Sequence, residues 1–350
     1  MTEARGSAGP AGELAGPLDR ERSGAVRLQF WVLLIGTLLM AAKVIAWWIT
    51  GSNTILGDAL ESIVNIVAGG FALYSLILAA KPRDREHPYG HGKVEFISAG
   101  LEGGLVIMAG LLICWRSIHA LYDAHHPKEL GIGILITAIT GAINLAMGLL
   151  LKKRGRSVHS MTMEASGVHL LSDAWSTAAM IVGLSLIAIT HATWLDPVFA
   201  LLFAAYIIFS GAQVLRRAVA GIMDEADLKL AARVIAILEE HRRPQWVDVH
   251  NFRMIQYGSI LHIDCHVTLP WYHSLEQAHE EIATMERLVN ASCDRDVELF
   301  IHMDPCIPTS CAICSLAGCP HRRAPQVRSI PWDLDSVLSN AKHGSPGSTA

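Results

Sequence analysis

The chain has 350 residues, of which 51% are hydrophobic and 17% are charged, whereas about 25% of the residues of an average soluble protein are charged. The mean hydropathy is +0.35, and the formal net charge is -4 at pH 7. This composition excludes an ordinary soluble protein and lacks the basic excess that nucleic-acid binding requires. We therefore expect a protein that lies in a lipid bilayer and does not bind nucleic acid.

The N-terminal segment is rich in Gly, Ala and Pro and carries charges of both signs. It contains no short apolar core followed by small residues, which is the pattern of a secretory signal. We expect residues 1–27 to form a disordered cytosolic arm.

Six apolar windows follow, each long enough for the about 20 helical residues that cross a ~30 Å hydrocarbon core. The windows are residues 28–50, 54–80, 95–118, 130–151, 165–190 and 195–215. They predict a membrane α-helical bundle of six transmembrane helices over residues 28–217. An even number of spans returns the chain to the side on which it started.

Basic residues indicate which side that is. Lys and Arg are concentrated before the first window, in residues 81–93, in residues 152–156, and after the last window at Arg216 and Arg217. By the positive-inside rule these four segments are cytoplasmic, so we expect both termini in the cytosol. The short linkers and the lack of a long His-rich loop favour a bacterial inner membrane over an organelle.

The remainder of the chain is more charged and is periodic. The pattern predicts helices and strands in αββαβ order, at residues 226–243, 246–256, 259–269, 274–291 and 295–303. In the second strand, Ile263, Cys265 and Val267 share one face. We therefore expect a cytosolic α+β domain of ferredoxin-like order at residues 222–305. The Ser, Gly and Pro content of residues 323–350 predicts a disordered tail.

Two of the windows contain polar residues on one helical face. Asp58, Glu61 and Asn65 fall within an arc of about 60°, and His169 and Asp173 lie four residues apart, within about 40° of each other. An ionised carboxylate at the bilayer centre costs at least ~2.5–3.5 kcal/mol, so such groups need a partner or a function. A divalent cation would satisfy them together. The alternatives are interhelical hydrogen bonds and, for Asp58, a helix cap.

Lys43 and Glu102 are the other charged residues well inside apolar windows. They could pair with each other or with water in the bundle, which would be a structural role. A role in proton movement is the alternative.

Two cytosolic regions offer further metal ligands. Asp84, His87 and His91 fall within one short loop that contains turn-forming Pro88 and Gly90. The α+β domain offers a dense set of seven more candidates: His250, His262, His266, His273, His279, His302 and Asp304. The alternative for the loop is solvated histidines. In the domain, one or two members, His262 and His273 first, could be ordinary surface residues.

A cysteine cluster follows the last predicted strand. Residues 306–322 contain Cys306, Cys311, Cys314 and Cys319, with His321 nearby. Four thiolates can close a tetrahedral zinc site, and an iron–sulfur cluster is possible in principle. The cytosol disfavours disulfides, so free thiols are the remaining alternative.

Four segments together resemble the cation diffusion facilitator family of metal/proton antiporters. They are 57-GDALESIVN-65, 87-HPYGHGKVE-95, 169-HLLSD-173 and 302-HMDP-305. The resemblance implies a homodimer of six-helix protomers with a cytosolic metallochaperone-like domain. It also implies export of Zn2+, or a related divalent ion, from the cytosol against inward proton flow.

The resemblance also assigns metal sites to particular residues. It places the transport site on Glu61, Asn65, His169 and Asp173, with Asn65 where the family usually has a carboxylate. It places an interface metal site on Asp84, His87 and His91. It places a zinc pair at the dimer interface on five residues of the cytosolic domain: His250, His266, His279, His302 and Asp304.

We therefore expect a secondary transporter that exports a divalent cation, Zn2+ first and Mn2+, Fe2+, Co2+, Ni2+ or Cd2+ as alternatives. The residue types narrow the metal without defining it. The competing hypothesis is a metal-responsive membrane sensor or scaffold that binds metal but does not transport it. No His-Glu-x-x-His, nucleophile-elbow or Walker A motif is present, so we do not expect an enzyme.

Overall fold

The computed structural model describes residues 17–50, 53–122, 132–190, 195–258, 260–293 and 295–344. The chain divides into two compact units, the first ending at Val219 and the second beginning at Ala220. Each unit is described by itself.

The first unit consists of long helices. They are α1 Pro17–Thr50, α2 Asn53–Ala79, α3 Val94–Tyr122, α4 Ile132–Ser157, α5 Met161–Thr190 and α6 Leu195–Ile222. At 1.5 Å per residue even the shortest is about 39 Å long, enough to cross a bilayer. Within the described residues, three segments are long and apolar enough for this by length and composition: Ser23–Ile45, Val94–His119 and Ala200–Ile222. In α2 the described apolar stretch, Asn65–Ala79, is shorter than these three.

The helix α1 begins earlier than the composition predicts. Residues 17–27, expected to belong to a disordered arm, are helical. The reason is packing, because Ala25 is buried in a cluster with Leu76, Leu151 and Met163 from three other helices. Residues 1–16 lie outside the described residues.

Glycines allow close approach of neighbouring helices. A Cβ on Gly167 of α5 would lie 2.6 Å from the Lys152 nitrogen and 2.9 Å from the Gly148 carbonyl oxygen of α4. A Cβ on Gly211 of α6 would lie 3.0 Å from the Gly103 oxygen of α3. Small residues at such crossings are typical of helix packing in membranes, where van der Waals contact replaces the hydrophobic effect.

The outer surface of this unit is apolar. Large side chains that a soluble protein would bury are exposed, including Trp31, Leu38, Trp115 and Phe209. Such a surface is typical of contact with lipid or with a partner subunit.

The second unit has the predicted αββαβ order. Its elements are α7 Leu228–Glu240, β1 Asp248–Tyr257, β2 Ile260–Leu269, α8 Leu275–Ser292 and β3 Val297–Pro305. The sheet order is β1-β2-β3, with β1 antiparallel and β3 parallel to β2. Side chains of Asp227 and Ser274 cap the N-termini of α7 and α8. In β2, Ile263, Cys265 and Val267 enter the core, as the alternation predicts.

The disordered tail expected from residue 323 is not observed, because residues 323–344 pack against the helices and sheet of the α+β domain. Trp332 and Val337, at a short helix α9 Leu334–Val337, belong to the core of the α+β domain. The Arg242 guanidinium stacks 4.0 Å over the Trp332 ring and donates to the Ile330 carbonyl oxygen at 2.8 Å. The burial of a few apolar side chains therefore stabilises this segment despite its polar composition.

Candidate metal sites

Polar residues of α2 and α5 meet inside the helical unit. The amide nitrogen Nδ2 of Asn65 donates to Asp173 Oδ2 at 2.9 Å, and Asn65 Oδ1 lies 2.9 Å from His169 Nε2. His169 is buried, while Asn65 and Asp173 are partly exposed. Three of the predicted transport-site residues thus form one hydrogen-bonded group across two helices.

The direction of these bonds identifies where a proton lies. An ionised Asp173 only accepts hydrogen bonds, so the amide nitrogen of Asn65 faces it and the amide oxygen faces His169. Because an amide oxygen also only accepts, His169 Nε2 carries the proton. A metal ion would use the lone pair that this proton occupies, so binding through Nε2 requires the proton to move to Nδ1 or to leave the ring.

Asp58 and Glu61 lie on the same helix, α2, before Asn65. Their side chains lie outside the described residues. Their part in the site therefore stays a prediction.

Of the alternatives for Lys43 and Glu102, pairing with each other does not occur among the described residues. Lys43 Nζ donates to Ser62 Oγ at 3.0 Å, whereas Glu102 Oε1 accepts from Ser166 Oγ at 2.7 Å. Ser166 also lies 3.4 Å from Gln29 Nε2 and connects Glu102 to α1. Glu102 is buried, and its Oε2 makes no hydrogen bond. These two contacts depend on helix packing and not on residue type alone.

The loop between α2 and α3 brings Asp84, His87 and His91 together, with one ligand atom from each within 4.8 Å of the others. Asp84 Oδ1 lies 3.1 Å from His87 Nδ1, and Asp84 Oδ2 lies 3.4 Å from His91 Nε2. Gly90 at φ +89° permits the turn that returns His91 to the cluster. The His87 backbone N–H donates to Asp84 Oδ1 at 2.6 Å and lowers the pKa of that carboxyl. The carboxylate is thus held in the ionised form that a metal ion needs.

A second ligand group lies on the sheet of the α+β domain. One ligand atom each of His250, His266 and Asp304 lies within 4.8 Å of the others. Asp304 Oδ2 is 3.2 Å from His250 Nε2 and 3.3 Å from His266 Nδ1, and Asp304 Oδ1 is 3.6 Å from His302 Nε2. The pairing of adjacent strands produces this group, because His250 is opposite His266 and His266 is opposite His302. Imidazole nitrogens around one carboxylate fit zinc well.

The other histidines of this domain lie apart from the group. His279 is on α8 and lines a different cavity with Arg243 and Glu280. His262, considered as a surface residue, is in fact buried, and its ring lies 4.6 Å from that of Phe300. His273 packs against Tyr272, with 5.5 Å between the ring centroids.

Two buried residues behind His250 were missed by the sequence analysis. Asp248 Oδ2 lies 3.4 Å from His250 Nδ1, and Asp248 also contacts His343 from the C-terminal segment. The Asp-x-His spacing on one strand places Asp248 and His250 on the same face and could have revealed the first. The distant His343 has no such local signal.

The four C-terminal cysteines lie in one region as free thiols. The pKa of the Cys306 thiol is raised by burial and, more weakly, by the other three thiols. Burial, together with a hydrogen bond to Cys319, raises the pKa of Tyr272 to about 12. Among the residues that the structure describes, these thiols do not join the groups whose ligand atoms lie within 4.8 Å of one another. The Arg322 guanidinium holds the loop together. It donates hydrogen bonds to four backbone carbonyl oxygens, those of Cys311, Cys314, Leu316 and Ala324.

The chain combines long apolar helices that share a buried polar site with a small α+β domain that is rich in metal ligands. These features define a membrane metal-transport protein. Residues 30–223 match the cation efflux transmembrane domain, and residues 227–306 match the cytoplasmic domain of cation efflux proteins. The chain therefore belongs to the cation efflux, or cation diffusion facilitator, family.

Similar proteins agree with this assignment. The chain is 32% identical to the uncharacterized transporter sll1263 of Synechocystis over 76% of this chain and 88% of that protein. It is 28% identical to the cation-efflux pump FieF of Shewanella oneidensis, over 79% of this chain and 95% of the pump. It is 29% identical to metal tolerance protein C1 of Arabidopsis thaliana, over 76% of this chain and 59% of that protein. The family is one of multi-pass membrane transporters of metal cations, not of enzymes.

Proposed function

We propose that this protein exports a divalent metal ion, with Zn2+ as the first candidate, from the cytosol in exchange for protons. The observation that carries the proposal is the hydrogen-bonded group of Asn65, His169 and Asp173 between α2 and α5. Its donors suit a divalent ion, and a proton bound at the His169 nitrogen or at the Asp173 carboxylate must be displaced before that atom can bind a metal. Metal and proton therefore compete for one site, which is the condition for exchange.

Glu61, and Asp58 behind it, would complete the ligand set. Asn65 contributes a neutral oxygen at a position where the family usually has a carboxylate. The site therefore has one fewer negative charge and one fewer group that can carry a proton. Alternating exposure would come from rocking of the helices that carry the site.

The proposed topology has six transmembrane spans with both termini in the cytosol of a bacterial cell. It is supported by the six long helices and by the four basic segments. Labelling of single cysteines introduced on either side, in intact cells and in inverted vesicles, tests this arrangement.

The cytosolic groups would bind metal for assembly and regulation. The matched cytoplasmic domain is a dimerisation domain of this family, which supports a homodimer. His279, remote from His250 and Asp304 within one chain, would act across the dimer. Asp84, His87 and His91 would bind a further ion. Metal binding at such sites would make dimer stability depend on the cytosolic metal concentration.

We also retain the proposal that residues 306–322 bind zinc through Cys306, Cys311, Cys314 and Cys319. Their position in one region supports it, and binding would require the thiols to rotate towards a common ion. Metal analysis of anaerobically purified protein with all four cysteines changed to Ser tests it. Visible charge-transfer absorbance would instead indicate an iron–sulfur cluster.

Transport is tested in proteoliposomes with an imposed pH gradient and a zinc-sensitive dye inside. We expect zinc flux driven by the gradient in the wild type and loss of flux in His169→Ala and Asp173→Ala. Thr37→Val is a matched control, because Thr37 bonds within its own helix, to the Leu33 carbonyl oxygen. Metal binding without flux in the wild type would favour the sensor or scaffold hypothesis.

A further inference from the structure

The C-terminal segment beyond the family domain reaches the cytosolic metal-ligand group. The family match ends at residue 306, whereas the structure continues to residue 344. The segment is held by the buried Trp332 and by the Asn251 backbone N–H, which donates to the Ser339 carbonyl oxygen at 2.7 Å. Near its end, Lys342 Nζ donates to the Pro305 carbonyl oxygen at 2.5 Å.

The segment then inserts His343 against one buried carboxylate. His343 Nδ1 lies 2.8 Å from Asp248 Oδ1, and the His343 backbone N–H donates to Asp248 Oδ2 at 3.0 Å. Both side chains are almost fully buried, at 2% and 1% exposed. A buried carboxylate without partners is costly, so these two contacts hold Asp248 in one position.

That position is directly behind a proposed metal ligand. Asp248 Oδ2 lies 3.4 Å from His250 Nδ1, while His250 Nε2 faces Asp304 at 3.2 Å. His250 Nδ1 is buried and makes no aligned hydrogen bond. A metal ion on Nε2 would leave the ring proton on Nδ1, where a small rotation would direct it at Asp248. A carboxylate in this role orients a metal-binding histidine and makes it more basic.

We infer that residues 326–344 act as a clasp on the cytosolic metal site, with His343 as a positioning residue that holds Asp248 behind His250. This inference rests on the proposed metal site of His250, His266 and Asp304. The clasp strengthens metal binding, and bound metal in turn holds the clasp in place, because coupling between two binding events is reciprocal. Metal in the cytosol is thereby linked to the state of the C-terminus.

The first test measures zinc and cobalt binding to the full-length protein in detergent. The contribution of this site is the binding that Asp304→Ala removes. We expect His343→Ala to weaken that contribution by about 10- to 100-fold, the effect typical of losing such a supporting partner. The cobalt absorption spectrum of the site should also change. His241→Ala is the matched control, because His241 is an exposed histidine that bonds its own helix at the Ile237 carbonyl oxygen.

The His343→Gln variant distinguishes a loss of the contact with Asp248 from a loss of folding. Its side-chain amide can still donate to Asp248, so we expect binding between that of the wild type and that of His343→Ala. Thermal unfolding of each variant shows whether the domain is intact. If His343→Ala is unfolded, Asp248→Asn is measured in its place, with the same expected weakening.

The second test follows the clasp itself. Trypsin can cleave after Lys342, and mass spectrometry detects the released end. Zinc should slow this cleavage in the wild type and not in Asp304→Ala.

Each outcome has a distinct meaning. Unchanged affinity in a folded His343→Ala protein, with zinc-independent cleavage, would overturn the clasp and leave the metal site standing. Equal metal binding by the wild type and Asp304→Ala would overturn the cytosolic site and the clasp with it. Neither result bears on transport through the membrane site.

Discussion

The replacement of Asn65 by Asp should change the number of protons exchanged for each metal ion. In the wild type, Asn65 Nδ2 lies 2.9 Å from Asp173 Oδ2. In Asn65→Asp this bond becomes a contact between two carboxylates. At 2.9 Å and an effective dielectric constant of about 20, two unit charges repel by about 6 kcal/mol. This is far more than the ~1.4 kcal/mol that corresponds to one pH unit, so the metal-free pair retains one shared proton.

Metal binding must then displace that shared proton in addition to any proton that it displaces in the wild type. We expect Asn65→Asp to release one more proton per ion than the wild type. Its metal uptake should also depend more steeply on pH. Proteoliposomes that contain a pH dye and a zinc dye give the ratio of protons to metal directly.

The control for the added charge is Asn290→Asp, the same substitution on α8 of the other unit. It should leave the ratio unchanged. An unchanged ratio and pH dependence in an active Asn65→Asp protein would refute the assignment of Asn65 to the site. A wild-type protein without proton release would refute the exchange mechanism itself.

Three further predictions concern helix packing, the C-terminal segment and the metal-ligand group of the loop. Gly167→Ala places a Cβ 2.6 Å from a backbone nitrogen, so the free energy of unfolding should fall by about 1–3 kcal/mol and the unfolding temperature in detergent should fall with it. In the control, Gly36→Ala, the new Cβ meets nothing within 4 Å, so stability should change little. Trp332→Ala should destabilise the cytosolic unit by about 3–5 kcal/mol in urea titrations, and the exposed Trp271→Ala serves as its control; equal effects would show that the C-terminal segment is not anchored by the core. The pKa of Asp84 is lowered from 3.8 by the His87 N–H, so its carboxylate stays charged as the pH falls to 5. Asp84→Asn should therefore weaken zinc binding to the loop by the same factor at pH 7 and at pH 6. A much smaller loss of affinity at pH 6, measured by calorimetry, would contradict this.

The hydrogen bonds of Asn65 give a physical reason for an amide at the proposed transport site. Asn65 contacts both His169 and Asp173 and so holds the two sides of the site together without adding charge. A second carboxylate at this position would have to be protonated or paired whenever the metal is absent. The amide therefore avoids the energetic cost of a second charge inside the bilayer, and it removes one exchangeable proton from the proposed site.

The amino-acid sequence was sufficient to predict the features that depend on local periodicity. The six apolar windows correspond to helices α1 to α6, and the alternation of β2 places Ile263, Cys265 and Val267 in the core. The same periodicity predicted that Asn65 would face the site and that His169 and Asp173 would share a helical face. These features follow from the 3.6-residue and two-residue repeats, which each segment carries by itself.

Only the tertiary structure decided which of these faces meet. In the tertiary structure, Glu102 accepts a hydrogen bond from Ser166 and does not pair with Lys43, and His279 lies apart from His250 within one chain. The tertiary structure also brought His343 to Asp248, residues 95 positions apart in the chain. Local propensity indicates the face on which a side chain lies, but its partner depends on packing between distant segments. For the same reason, composition alone could not predict that a polar C-terminal segment would fold.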